Sequence, residues 1–151
     1  MDLKKLIEKI EDYKEKEVVL SGWIRNHRKQ KEFGFIDFSD GTCFKHMQLV
    51  YDNKLKEFDD IQKYHIGSAI EVTGKVISSE GKEQAYEIKV SSIKLLGDCP
   101  EDYPMQPKRH TMEFLREQAY LRPRTNIFQA VFRVRSLSAQ AINKYFGDRG
   151  Y

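Results

Sequence analysis

Much of what defines other protein classes is missing from this sequence. It has only two cysteines, Cys43 and Cys99, far apart and without ligand-like spacing. That excludes a disulfide framework or a cysteine metal cluster, and suits reduced thiols in a cytoplasmic protein. No apolar run is long enough to span a membrane, and no signal-peptide pattern precedes the first strand. The opening "MDLKKLIEKIEDYKEKE" is charged from its second residue. The net charge is only +3, so any contact with nucleic acid must come from local placement of cations. There is no Gly-Lys-Ser/Thr loop to cradle a phosphate. The four histidines, His27, His46, His65 and His110, have no paired spacing for a metal. No Ser/His/Asp or Cys/His set suggests a nucleophile. Taken alone, the chain shows no active site.

What is present is a core. Hydrophobic residues make up 40% and aromatic residues 12% of the 151, which excludes a disordered chain. Leu3, Leu6, Ile7 and Ile10 fall at helical spacing, with Asp2 placed to cap, which predicts a short packing helix over 2–14. Five strand-like runs follow: "EVVLSGWIRNHR", "EFGFIDFSD", "TCFKHMQLVYD", "SAIEVTGKVI" and "QAYEIKVSSIKLL". Between the third and fourth, Leu55, Phe58, Ile61 and Tyr64 predict a helix ended by Gly67. Three strands, a helix and two strands is the order of a Greek-key barrel of the oligonucleotide-binding (OB) type. The expected fold is therefore mainly β: a five-stranded OB barrel with an N-terminal helix, then a proline-rich linker and α-helices. Three of the four prolines lie in "LLGDCPEDYPMQPKRHT", the expected linker. "TMEFLREQAYLRPRT" reads as a short helix stopped by Pro123.

Alternation sorts the strands into faces. Ile36 and Phe38 oppose Phe33, Phe35 and Asp37; Met47, Leu49 and Tyr51 oppose Phe44, His46, Gln48 and Val50. The second set in each case mixes aromatic and polar groups, as base stacking with hydrogen-bond readout requires. Arg25, His27, Arg28, Lys29 and Lys31 add cations that could hold phosphates. Outer-face aromatics also serve to cover a neighbouring helix or subunit, so binding and plain packing both fit this pattern.

The terminal helix starts near Thr125 or Asn126. Mapped at helical pitch, Phe128, Phe132, Ala139, Ile142 and Phe146 point one way, with Val131, Val134, Ser138, Ala141 and Tyr145 beside them. This apolar arc is about twice the stripe of a surface helix. It calls for partners on two flanks, a second subunit or a further domain.

The stretch "SGWIRNHRKQKEFGFIDFSDGTCFKHMQLVYD" resembles the anticodon-binding barrel of the class IIb aminoacyl-tRNA synthetases. "DYPMQPKRHTMEFLREQAYLRPRTNIFQAVFRVRS" is similar to the asparaginyl-tRNA synthetase branch more than to the aspartyl or lysyl ones. The resemblance covers essentially the whole chain. It implies that the barrel binds the anticodon loop of a tRNA. A phenylalanine at position 35 would stack on the middle uridine, with Gln48 and Arg28 hydrogen-bonding it and Arg25 as a rival to Arg28. His46 joins that set. The hairpin between the last two strands, around Glu80, Lys82 and Glu87, would touch other anticodon bases.

The same resemblance makes the terminal helix the start of motif one, which builds a homodimer interface from Phe128, Val131, Phe132, Val134, Ser138, Ala141, Ile142 and Tyr145. The family attaches asparagine to its tRNA with ATP and Mg2+ in protein biosynthesis. Motifs two and three are absent from this sequence, so the chain by itself is expected to bind no cofactor or metal and to be catalytically inactive. It would be the N-terminal part of an asparagine–tRNA ligase, partnered by a catalytic domain beyond Tyr151, with neither membrane nor DNA as partner. The expected division is 1–98 for the barrel with its helix, 99–124 for linker and short helix, and 125–151 for the start of the catalytic domain. The alternatives are an aspartyl-tRNA synthetase fragment, a stand-alone RNA-binding OB module, and a purely structural dimerisation module.

Overall fold

The computed structural model describes residues 1–79 and 84–151. They divide into two compact units, Met1–Pro107 and Lys108–Tyr151. In the first, strands β1 (Glu17–Lys29), β2 (Phe33–Ser39), β3 (Met47–Asp52), β4 (Ala69–Ser78) and β5 (Tyr86–Gly97) close into a barrel in the order β1-β2-β3-β5-β4. All neighbours are antiparallel except β3 and β5, which meet in parallel at Leu49↔Ile88 and Val50↔Lys89. Closure removes the unpaired sheet edges that would otherwise invite a second chain.

Alternation along each strand fills the interior. Val18, Leu20, Ile24, Ile36, Phe38, Met47, Leu49, Tyr51, Ile70, Val72, Val76 and Ile88 are buried in one cluster. Two of its tightest places depend on glycine. A Cβ on Gly34 would lie 2.3 Å from the Tyr51 ring, and one on Gly22 would lie 2.6 Å from the Phe38 ring. Backbone without side chain is what lets these large rings lie flat across a strand.

The N-terminal segment contributes Leu3 and Leu6 to the same core. Asp2 caps it as expected, its carboxylate accepting from the Lys5 N–H at 2.8 Å. It is two short helices, α1 (Leu3–Glu8) and α2 (Ile10–Tyr13), because Lys9 leaves the helical region at φ −124°, ψ 34°. The third strand also differs from expectation, starting at Met47 instead of Thr42. Asp40 gathers the preceding loop, accepting from the Leu3 N–H at 2.6 Å and from the Thr42 N–H at 2.9 Å, while Gly41 takes φ +77°. The helix expected between β3 and β4 shrinks to α3 (Phe58–Ile61). Apolar residues at every third position match successive tight turns better than the 3.6-residue period.

The proline-containing stretch after β5 is not a free tether at its start. Cys99 and Tyr103 are buried and lie against Gly67, whose φ of +92° turns the chain into β4. In the second unit α4 spans Met112–Glu117 under a Thr111 cap. It ends before Pro123, because Gln118 already leaves the helical region; Pro123 sits instead in a 3-10 turn, Arg122–Arg124, where its missing N–H costs nothing. The long helix α5 (Asn126–Gly147) begins as expected, with Thr125 Oγ1 accepting from the Phe128 N–H at 3.4 Å.

Candidate nucleic-acid interface

One cleft on the barrel wall gathers most of the residues singled out in the sequence. Asn26, Arg28, Phe35, Asp37, His46, Gln48 and Gln84 line about 330 Å³. Arg28 faces Phe35 across the β1–β2 ladder, and Asp37 faces Gln48 across β2–β3.

The geometry joins a flat ring to a directed polar network. The Arg28 guanidinium lies 5.2 Å from the Phe35 ring centre, within cation–π range. Phe33 meets Phe35 edge-on, centres 5.4 Å apart at 85°. Arg28 Nη2 donates to Gln48 Oε1 at 2.9 Å, and Gln48 Nε2 donates to Glu87 Oε2 at 3.0 Å. His46 Nδ1 meets Asp37 Oδ2 at 2.9 Å. A half-exposed ring, a cation and an amide with bonding capacity to spare are the parts that hold an unpaired base: stacking, charge, and edge readout.

A β-bulge decides which arginine belongs. The register of β1 against β2 slips between Ile24 and Asn26, leaving Arg25 as the extra residue. Before the slip, Val18, Leu20 and Ile24 point inward; after it, His27 does, opposite Ile36. Asn26 and Arg28 are thereby turned to the cleft, and Arg25 is not among its lining residues. Strict alternation would have put Arg28 inside and Arg25 out.

The same slip corrects the reading of His27 as a phosphate-holding cation. Its Nδ1 meets the Tyr64 carbonyl at 3.2 Å and its Nε2 meets the Tyr51 hydroxyl at 2.7 Å. A carbonyl only accepts, so Nδ1 carries the proton and Tyr51 donates to Nε2. Burial drives the imidazole pKa down to about 4, keeping it neutral, and pushes the Tyr51 hydroxyl up to about 12.

The sequence does not mark Asn26, while Gln84 and Ser79 belong to the polar hairpin between the last two strands, which it marks only as a segment able to touch a ligand. Asn26 reaches the cleft only through the bulge. Gln84 lines it from just before β5. Ser79 Oγ donates to Glu87 Oε2 at 3.0 Å. Lys82 and Glu80 lie outside the described residues. A second cleft, lined by Ile7, Ile10, Lys45, His46, Met47, Gln84, Ala85 and Tyr86, shares His46 and Gln84 with the first.

In the second unit Val131, Val134, Leu137, Ile142, Tyr145 and Phe146 are exposed on α5, as are Ser138 and Ala141. Phe132 is half-buried. Phe128 is buried, with the Arg122 guanidinium 4.9 Å over its ring.

Among the described residues no group of three or more His, Cys, Asp or Glu could hold a metal ion, and no helix is long and apolar enough to cross a membrane.

A closed five-stranded barrel with this strand order is the architecture of an oligonucleotide-binding domain. The chain belongs to the family of OB-fold nucleic acid binding domains of the tRNA anticodon type, whose pattern matches residues 18–96. It is 52% identical over 140 residues to the asparagine–tRNA ligase of Acholeplasma laidlawii, covering 92% of this chain and 30% of that protein. It is 49% identical over 149 residues to the asparagine–tRNA ligase of Clostridium novyi, covering 99% and 32%. The chain thus spans about a third of the length of these relatives. The crystal structure of asparaginyl-tRNA synthetase from Pyrococcus horikoshii superposes with a TM-score of 0.79 at 22% identity, over 93% of this chain and 34% of that one. The aspartyl tRNA synthetase from Entamoeba histolytica gives 0.80 at 18%, over 100% and 38%. Both structural likenesses are likenesses of fold.

Proposed function

We propose that this chain is the anticodon-recognition part of an asparagine–tRNA ligase. The observation that carries the proposal is the cleft: Phe35, Arg28 and Gln48 converge on one exposed face of an OB barrel. Phe35 stacks on the middle anticodon uridine, Gln48 reads its edge, and Arg28 supplies charge and a further donor. Sequence relatives at 52% and 49% identity carry the asparagine–tRNA ligase name, which favours the asparaginyl over the aspartyl reading.

In the longer protein, residues 1–98 serve as the recognition domain, 99–124 as linker and short helix, and 125–151 as the start of the catalytic domain. Activation of asparagine with ATP and Mg2+, and its transfer to tRNA, belong to that further domain. The exposed apolar face of α5 supports a homodimer through Val131, Val134, Ile142 and Tyr145. The compartment is the cytoplasm, where translation runs and free thiols such as Cys43 and Cys99 persist.

The test is binding of this chain to the anticodon stem-loop of the asparagine tRNA, followed by calorimetry. Phe35→Ala lowers affinity by about 1–3 kcal/mol through lost stacking. Unchanged affinity removes Phe35 from the site. No binding by the wild-type chain leaves the structural dimerisation module as the reading. Exchanging the third anticodon base for that of the aspartate tRNA separates the two branches.

A further inference from the structure

The side-chain amide of Gln48 lies between two opposite charges. Arg28 Nη2 donates to its Oε1 at 2.9 Å, and its Nε2 donates to Glu87 Oε2 at 3.0 Å. The carboxylate is itself held, since Ser79 Oγ donates to the same Glu87 oxygen at 3.0 Å. Glu87 reaches this point from β5, where it pairs with Ile77 of β4, so its backbone is fixed by the sheet. Turning the amide over would set Oε1 against the carboxylate and the NH2 group against the guanidinium. Two charge-assisted bonds would become an acceptor–acceptor and a donor–donor clash. The network admits one orientation of Gln48.

That orientation has a chemical meaning. With both bonds in place, Gln48 keeps one Nε2–H and one Oε1 lone pair for a ligand. Uracil offers a donor at N3 beside an acceptor at O4; cytosine offers an acceptor at N3 beside a donor at N4. Each pyrimidine can pair with a carboxamide through two bonds, but in opposite senses of the amide. For a base held in place over Phe35, the sense of Gln48 therefore decides which pyrimidine fits.

We propose that Glu87 is a specificity-determining positioning residue, which commits the Gln48 amide to uracil and against cytosine without touching the base. This rests on the reading of the Phe35 cleft as a site for an unpaired pyrimidine. It gives Glu87 a different part from direct contact with a neighbouring anticodon base.

The experiment compares two RNA stem-loops that differ only in uracil or cytosine at the stacked position, binding to wild-type chain, Glu87→Ala, Glu87→Gln and Phe35→Ala. Glu87→Ala lowers the uracil-over-cytosine preference about fivefold or more, the scale of one well-placed bidentate contact. Glu87→Gln retains most of the preference, because its side-chain oxygen still accepts from Gln48 Nε2. Equal loss of affinity for both loops in Glu87→Ala, or no change in either, overturns the proposal while leaving Phe35 dependence, and so the site, intact. Loops bound by Phe35→Ala as tightly as by wild type, or by no protein at all, overturn the site and the proposal together. A readout without RNA is the NMR signal of the Gln48 side-chain amide. Its bonded proton moves toward the free-glutamine position in Glu87→Ala, and an unmoved signal overturns the lock.

Discussion

Phe38 and Ile142 both occupy positions that periodicity assigns to an apolar face, and they end in opposite surroundings. Phe38 is 0% exposed inside the barrel; Ile142 is 57% exposed on α5. The barrel closes on itself, so the inward positions of β1 to β5 are covered by the other strands and by Leu3, Leu6 and Ile61 of the short helices, all within the same unit. A single helix has no such closure. Its apolar arc is satisfied only by something that lies alongside, and for Val134, Leu137 and Ile142 nothing else within Lys108–Tyr151 does so. Hydrophobic pattern reports which side chains require cover. Topology determines whether the chain supplies it.

The contrast can be broken most severely at the barrel. Phe38→Ala leaves a void the size of a ring in a closed core and should cost about 3–5 kcal/mol. Urea denaturation followed by the fluorescence of Trp23, the only tryptophan, measures it. A midpoint near that of the wild type would mean the interior can collapse around the loss.

A somewhat smaller effect comes from acid. His27 is held neutral with its pKa near 4, against an ordinary value of 6.5. Between those values the unfolded chain binds a proton that the folded chain refuses, so stability falls as pH drops from 6.5 and levels off below about 4. The gap corresponds to at most about 3 kcal/mol. Subtracting the pH profile of His27→Gln from that of the wild type isolates this contribution from the carboxylates. Parallel profiles would show that the imidazole is not the group responsible.

The smallest effect is expected on the helix. Ile142→Ala should leave the urea transition of the barrel within about 0.5 kcal/mol, because the side chain covers no core. Light scattering on the same variant should show weaker self-association than the wild type. A large fall in barrel stability would erase the distinction between the two regions.

How far the residues announced this depends on the scale of the signal. Period-two alternation placed Ile36, Phe38, Met47, Leu49 and Tyr51 inside, and put Phe35 and Gln48 together on the outer face. Those are strand-local facts. The short start of β3 was hidden, because it depends on Asp40 bonding to Leu3, 37 residues away. The choice between Arg25 and Arg28 was equally hidden, since a bulge is a property of two strands and no composition marks it here. Glu87 was legible only as a hairpin residue. Its grip on Gln48 links strands separated by a long stretch of chain, and appears only when β3 and β5 are brought side by side.

The supernumerary residue at Arg25 gives β1 two halves that count in opposite parity. Deleting it would leave the face as it is, since Ile24, Asn26, His27 and Arg28 would then alternate without a bulge. Forcing it into the regular ladder would instead transpose everything downstream, bringing an imidazole out to water and sending a guanidinium into oil. The face that this barrel shows to a nucleotide is thus set by an odd-or-even rule as much as by the identity of any amino acid, and such a face can be remade by insertion as readily as by substitution.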